Sequence, residues 1–183
     1  MCLPRYASIA SRFALAAGLL PIVACGEGPA TTVTFRLDEA GQIARAAMAS
    51  GPLMVEIRGS PYGGDPQPLA TVVVEAMRRS VTWYANPRFA VAEAEEAMPS
   101  FRIVITFNGG ATIGARDQCR GRGVGGAPLE HGRVEVIATF CDEEDVLADV
   151  RGWIARSDGI TDRRFDALVR QVTRDMLAGS ARP

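Results

Sequence analysis

Few residues of this 183-residue chain could do chemistry: four cysteines, one histidine, and cationic side chains that are all Arg. His131 follows Glu130, and the two offer half of a general-base arrangement. Ser60 and Ser100 could supply a nucleophile, yet neither has the strand–turn–helix context of a nucleophile elbow. A surface role is the plainer reading of His131, with hydrolysis a minor alternative. A single histidine excludes any site that needs two. The absence of lysine excludes Schiff-base catalysis and a P-loop. Gly121-Arg122-Gly123-Val124-Gly125-Gly126 matches G-x-G-x-x-G, but a dinucleotide turn needs a strand directly before and a helix directly after it. Here Cys119-Arg120 precedes and Ala127-Pro128 follows, so a loop pinned by Cys119 is expected, with no cofactor. Asp142 to Asp145 could face a calcium ion, but the run lacks EF-hand ligand spacing. A solvated hairpin turn and no metal are expected there. Arg116, Arg120, Arg122 and Arg133 share one stretch with only Asp117 and Glu130 as acids. They form a candidate patch for lipid phosphate, lipopolysaccharide or an acidic partner. A net charge of −1 argues against nucleic acid as that partner.

The N-terminus carries a different chemistry. Arg5 and Arg12 precede an apolar run from Phe13 to Ala24, and no acid occurs before Glu27. About a dozen apolar residues suit a secretory signal and fall short of the ~20 that span a bilayer. Ile22-Val23-Ala24-Cys25 then resembles the lipobox of bacterial lipoproteins. The resemblance covers the first 25 residues. It implies cleavage before Cys25, diacylglycerol on its sulfur and acylation of the new N-terminus. More than one acyl chain makes a stable anchor. The alternative is an ordinary signal peptide that leaves Cys25 free. Gly26 stands where such families place Asp for inner-membrane retention, so the resemblance favours the outer membrane, facing the periplasm. Processing would leave 18 Arg against 21 acids, a net charge of −3. Cys119 and Cys141 remain as an even pair in an oxidising compartment, which points to one disulfide. Two buried free thiols are the alternative.

The elements that would position these residues follow from periodicity. Residues 1–24 are expected to be removed, 25–32 to form the lipidated Cys and a short tether, and 33–183 a single domain. Thr32–Leu37 alternates as a strand, and Asp38 could cap a short helix over Glu39–Ala49. Leu53–Arg58 and Phe101–Phe107 read as clear strands, with a shorter one over Arg88–Val91. Between them Leu69, Val72, Val73, Ala76 and Met77 form one apolar stripe of a helix that Pro66 and Pro68 open. Arg133–Cys141 and Val146–Ile154 make a long hairpin, with Val146, Ala148, Val150 and Ile154 on one face. Trp153 points to the other face and marks an interface if that face is bare. Trp83 and Tyr84 read as a core corner or an aromatic contact. Thr161 is the expected N-cap of a final helix bearing Phe165, Leu168, Val169, Val172 and Met176, which Gly179 ends.

Two amphipathic helices on one face of a mostly antiparallel sheet give an α+β domain. The element order is similar to small α/β domains of envelope lipoproteins, such as activators of peptidoglycan synthases and curli-secretion lipoproteins. The match is in element order alone, and fold-level likeness confers no activity. The tether, the single compact domain and the lack of a catalytic constellation point to a non-catalytic interaction or accessory domain in the envelope. It would be held to the membrane at Cys25 and meet an envelope protein. A small-ligand or lipid carrier, with the Gly-rich loop as lid, is the alternative.

Overall fold

The computed structural model describes residues 28–92 and 100–178. The signal segment, Cys25 and Gly179 lie outside the described residues. Six strands form one sheet: β1 (Ala30–Arg36), β2 (Leu53–Arg58), β3 (Phe89–Val91), β4 (Phe101–Phe107), β5 (Val134–Asp142) and β6 (Asp145–Ile154). Their spatial order is β1-β6-β5-β4-β2-β3. The sheet is mixed. β1, β6, β5 and β4 pair antiparallel, whereas β2 runs parallel to both β4 and β3. The expectation of a mostly antiparallel sheet therefore fails at the β3-β2-β4 side. A helix follows β2, and a parallel neighbour needs such a crossover.

The helices are α1 (Ala40–Ser50), α2 (Pro66–Ser80), α3 (Ala115–Cys119) and α4 (Arg163–Leu177). α1, α2 and α4 cover the same face of the sheet, so this layer has three helices rather than the expected two. α2 starts where Pro66 lacks an N–H that would go unused, and Asp65 accepts from the Gln67 amide at 3.0 Å. α4 is capped by Asp162, which accepts from the Arg164 amide at 2.8 Å. Thr161 is therefore not the cap; the carboxylate one residue later takes its place. The Arg164 guanidinium also grips Asp162 and holds its carboxyl far below the usual range. The α4 stripe Phe165, Leu168, Val169, Val172 and Met176 lies mainly over β6, with Leu168 and Val172 against Gly152. It shares one core with Ile103, Ile105 and Phe107 of β4, Val134, Val136, Ala138 and Phe140 of β5, and Ala148, Val150 and Ile154 of β6. Tyr62 stands edge-on to Phe165 and donates to Ser157, and burial pushes its hydroxyl up to about 12.

Two boundaries differ from the sequence reading. β1 begins at Ala30, so residues 30–32, expected in the tether, belong to the sheet. Val146 lies on the opposite face from Ala148 and Val150. Phe140 pairs with Ala148 but Cys141 pairs with Val146, so Leu147 is an extra residue in a bulge that switches sides. The hairpin itself forms as expected, closed by Glu143 and Glu144 between the paired Asp142 and Asp145.

Candidate functional site

The other face of the sheet is where the chemistry-bearing residues collect. Strand alternation puts Glu56 and Arg58 of β2, Arg102 and Thr106 of β4, Ile137, Thr139 and Cys141 of β5, and Asp149, Arg151 and Trp153 of β6 on it. The long β4–β5 connection folds back over this face and carries α3 inside it, where only an open Gly-rich loop was expected. Helix α3 delivers Cys119 to Cys141. The two form a disulfide with their Cα atoms 5.6 Å apart.

Three arginines on three strands staple the connection down. Arg58 donates to the Gly123 carbonyl at 2.9 Å, Arg102 to the Cys119 carbonyl and Arg151 to the Ile113 carbonyl. A planar guanidinium supplies several donors in fixed directions, so one side chain can serve a carbonyl and a carboxylate together. Arg58 does so, bonding Glu56 at 2.6 Å with its Nε. Beneath α3 runs a fully buried polar chain. Thr106 donates to Gln118 Oε1. The Gln118 amide donates to Thr139 Oγ1 at 3.2 Å, and Thr139 donates to Asp149 at 2.7 Å. These four side chains are at most 1% exposed. Their polar groups satisfy one another, as burial requires.

The G-x-G-x-x-G segment has a packing reason for its glycines. It follows α3 rather than a strand and crosses the ends of β2 and β4. A Cβ on Gly126 would lie 1.9 Å from the Asn108 carbonyl oxygen, and one on Gly125 2.0 Å from the Gly59 amide nitrogen. Only a bare backbone can approach so closely.

The candidate patch arginines divide by partner. Arg120 pairs with Glu144 at 3.0 Å, Arg122 with Asp117 at 3.1 Å and Arg133 with Glu135 at 2.8 Å. Arg116 is exposed on α3. Exposed pairs of this kind contribute little stability and can exchange partners. Arg133 also lies over the Trp153 ring, 5.1 Å from its centroid. His131 is exposed at φ +56 in a single 3-10 turn beside Glu130. No hydroxyl bonds it among the described residues. The Ser60 hydroxyl instead donates to the Gly63 carbonyl and fastens its own turn. Trp83 and Tyr84 pack against the helical layer. No three His, Cys, Asp or Glu side chains converge on a metal position among the described residues, and no helix among them is long and apolar enough to cross a membrane.

Past α3 this face opens. A cleft of about 200 Å³ lies between Thr32, Gly109–Ala111, Ile137, Arg151 and Trp153. A wider, more open hollow of about 440 Å³ lies beside Ser100, Arg102, Arg120 and Glu144.

The sequence reading singled out the disulfide, the patch and Trp153. It missed Arg58, Arg102, Arg151, Gln118, Thr139 and Asp149. One signal was available. Phe101–Phe107 is apolar almost without alternation, the mark of a strand buried on both faces. No known family matches the chain, and neither a curated protein nor a solved structure is significantly similar to it.

Proposed function

We propose that this chain is a lipid-anchored protein of the bacterial cell envelope, held at Cys25 to the periplasmic face of the outer membrane. Its domain is a non-catalytic interaction module. The carrying observation is how the polar groups are spent. The buried polar side chains of the second face fasten the β4–β5 connection, and that connection holds Val124 outward at 72% exposure. Arg120 and Arg122 both precede Val124 closely in sequence, and Arg116 lies before them on α3. An acidic envelope protein could take these arginines from Asp117 and Glu144. The Cys119–Cys141 disulfide supports an oxidising compartment.

A photo-crosslinker at position 124 in intact cells tests the interaction. The expected result is one discrete protein adduct, lost when Arg120→Glu and Arg122→Glu are added. An equal adduct from position 75, on the wet side of α2, would contradict the assignment. The carrier reading is weaker because the cleft beside Trp153 holds only about 200 Å³ and the wider hollow of about 440 Å³ is open and lined by Arg102, Arg120, Glu143 and Glu144, whereas ligand pockets are mostly apolar.

A further inference from the structure

Five large hydrophobic side chains stand exposed among the described residues, and three of them lie on the two strands at one edge of the sheet. Val33 and Phe35 lie on β1, the terminal strand, and Trp153 on β6 beside it. Val33 pairs with Val150 on the helix-covered face, whereas Phe35, opposite Asp149, shares the other face with Trp153, four residues along β6. They are 41–45% exposed, in a fold whose other large apolar groups are mostly buried. The start of β1 fixes where this edge sits relative to the anchor. Ala30 pairs with Trp153 in register, and Cys25 is five residues upstream of Ala30. A chain spans at most ~3.6 Å per residue, so an acylated Cys25 stays within about 18 Å of the Trp153 rung. No conformation of so short a tether lifts that edge far from the lipid headgroups.

The chemistry of the edge suits that neighbour. A tryptophan with an apolar body and one N–H donor prefers the membrane–water boundary. Arg133, stacked on the Trp153 ring, brings a guanidinium to the height of lipid phosphates. Glu135 partners Arg133 at 2.8 Å, so a phosphate would replace one carboxylate contact rather than meet a bare cation. The processed chain is net negative, and general electrostatic attraction would not hold it to anionic lipid.

We infer that the face around Trp153, at the end of β6 where β1 begins, is a membrane-contact surface that lies in the headgroup layer of the bilayer holding Cys25. The contact orients the domain. It turns the arch around Val124 toward its partner instead of letting the domain tumble on its tether. This rests on the anchoring at Cys25 proposed above.

The test uses the full chain extracted from membranes and reconstituted into phosphatidylethanolamine–phosphatidylglycerol vesicles, with and without brominated acyl chains. The chain has two tryptophans. Subtracting the emission of a Trp153→Phe protein isolates Trp153, and the remaining Trp83, packed beside Arg45 on the helical layer, serves as control. Trp153 emission should fall at least about twofold on brominated lipid, as expected for an interfacial indole, and Trp83 emission should not. Arg133→Glu should reduce the quenching. Equal emission from Trp153 on both lipids, in protein whose intact mass shows acylation, would overturn the membrane contact and leave the anchor standing. Protein with no acyl mass on Cys25 would overturn the anchor, and the contact with it.

Discussion

The two faces of the sheet are built by different physics. On one, three helices seal an apolar layer around Phe107, Phe140 and Phe165, and no specific polar partner is needed. On the other, a 26-residue connection between β4 and β5 is held by a disulfide, three arginine–carbonyl bonds and a Thr–Gln–Thr–Asp chain. The apolar contribution there is small, with Val104, Cys119 and Cys141 as its buried centre. Burial of hydrocarbon is non-directional and tolerant, whereas a polar staple works only in one register. The first face therefore carries the fold. The second carries a surface loop in one fixed shape, as a recognition element requires.

Three substitutions probe that difference, in falling order. Phe165→Ala removes the largest side chain shared by α4 and the sheet. It should lower the unfolding free energy by about 4 kcal/mol, read as a global shift of the urea midpoint. A loss under 1 kcal/mol would remove α4 from the centre of the core. Replacing both Cys119 and Cys141 by Ala opens a link across 22 residues, which should cost about 3 kcal/mol in the chain-entropy model. The signature should be local as well, with limited proteolysis moving into residues 109–132 while the three-helix layer stays protected. Cleavage spread evenly over the chain would contradict a separate role for the second face. Asp162→Ala removes the α4 cap at about 1 kcal/mol. Because Arg164 depresses the Asp162 pKa below the ordinary 3.8, its contribution is present above that value and fades as pH falls below it. The acid limb of the stability curve should therefore be shallower in the variant. At the other extreme, Tyr62 sits above its ordinary value, so its contribution holds below about pH 10 and fades toward about 12.

The same contrast explains what could be read from the sequence. The α2 and α4 stripes, the β4 strand and the β5–β6 hairpin show in residue periodicity, because apolar burial leaves a period of 3.6 or 2. The Cys119–Cys141 pair shows in cysteine parity. The parallel pairing of β2 with β4 does not, since the choice of neighbour is made across the sheet and not along the strand. Helix α3 has five residues, too few for a stripe, and it sits between glycines that read as loop. Gln118, Arg58, Arg102 and Arg151 look like any surface polar residues until the chain folds over them. The bulge at Leu147 puts Val146 on the unexpected side for the same reason, since one extra residue inverts a face without altering composition.

The central claim, a disulfide-locked domain anchored at Cys25, is tested most directly by the intact mass of the protein extracted from membranes. The account predicts a chain that begins at Cys25, carries two or three acyl chains and lacks the two hydrogens of free Cys119 and Cys141 thiols. A chain with an unmodified Cys25, or one with both thiols reduced, would contradict it.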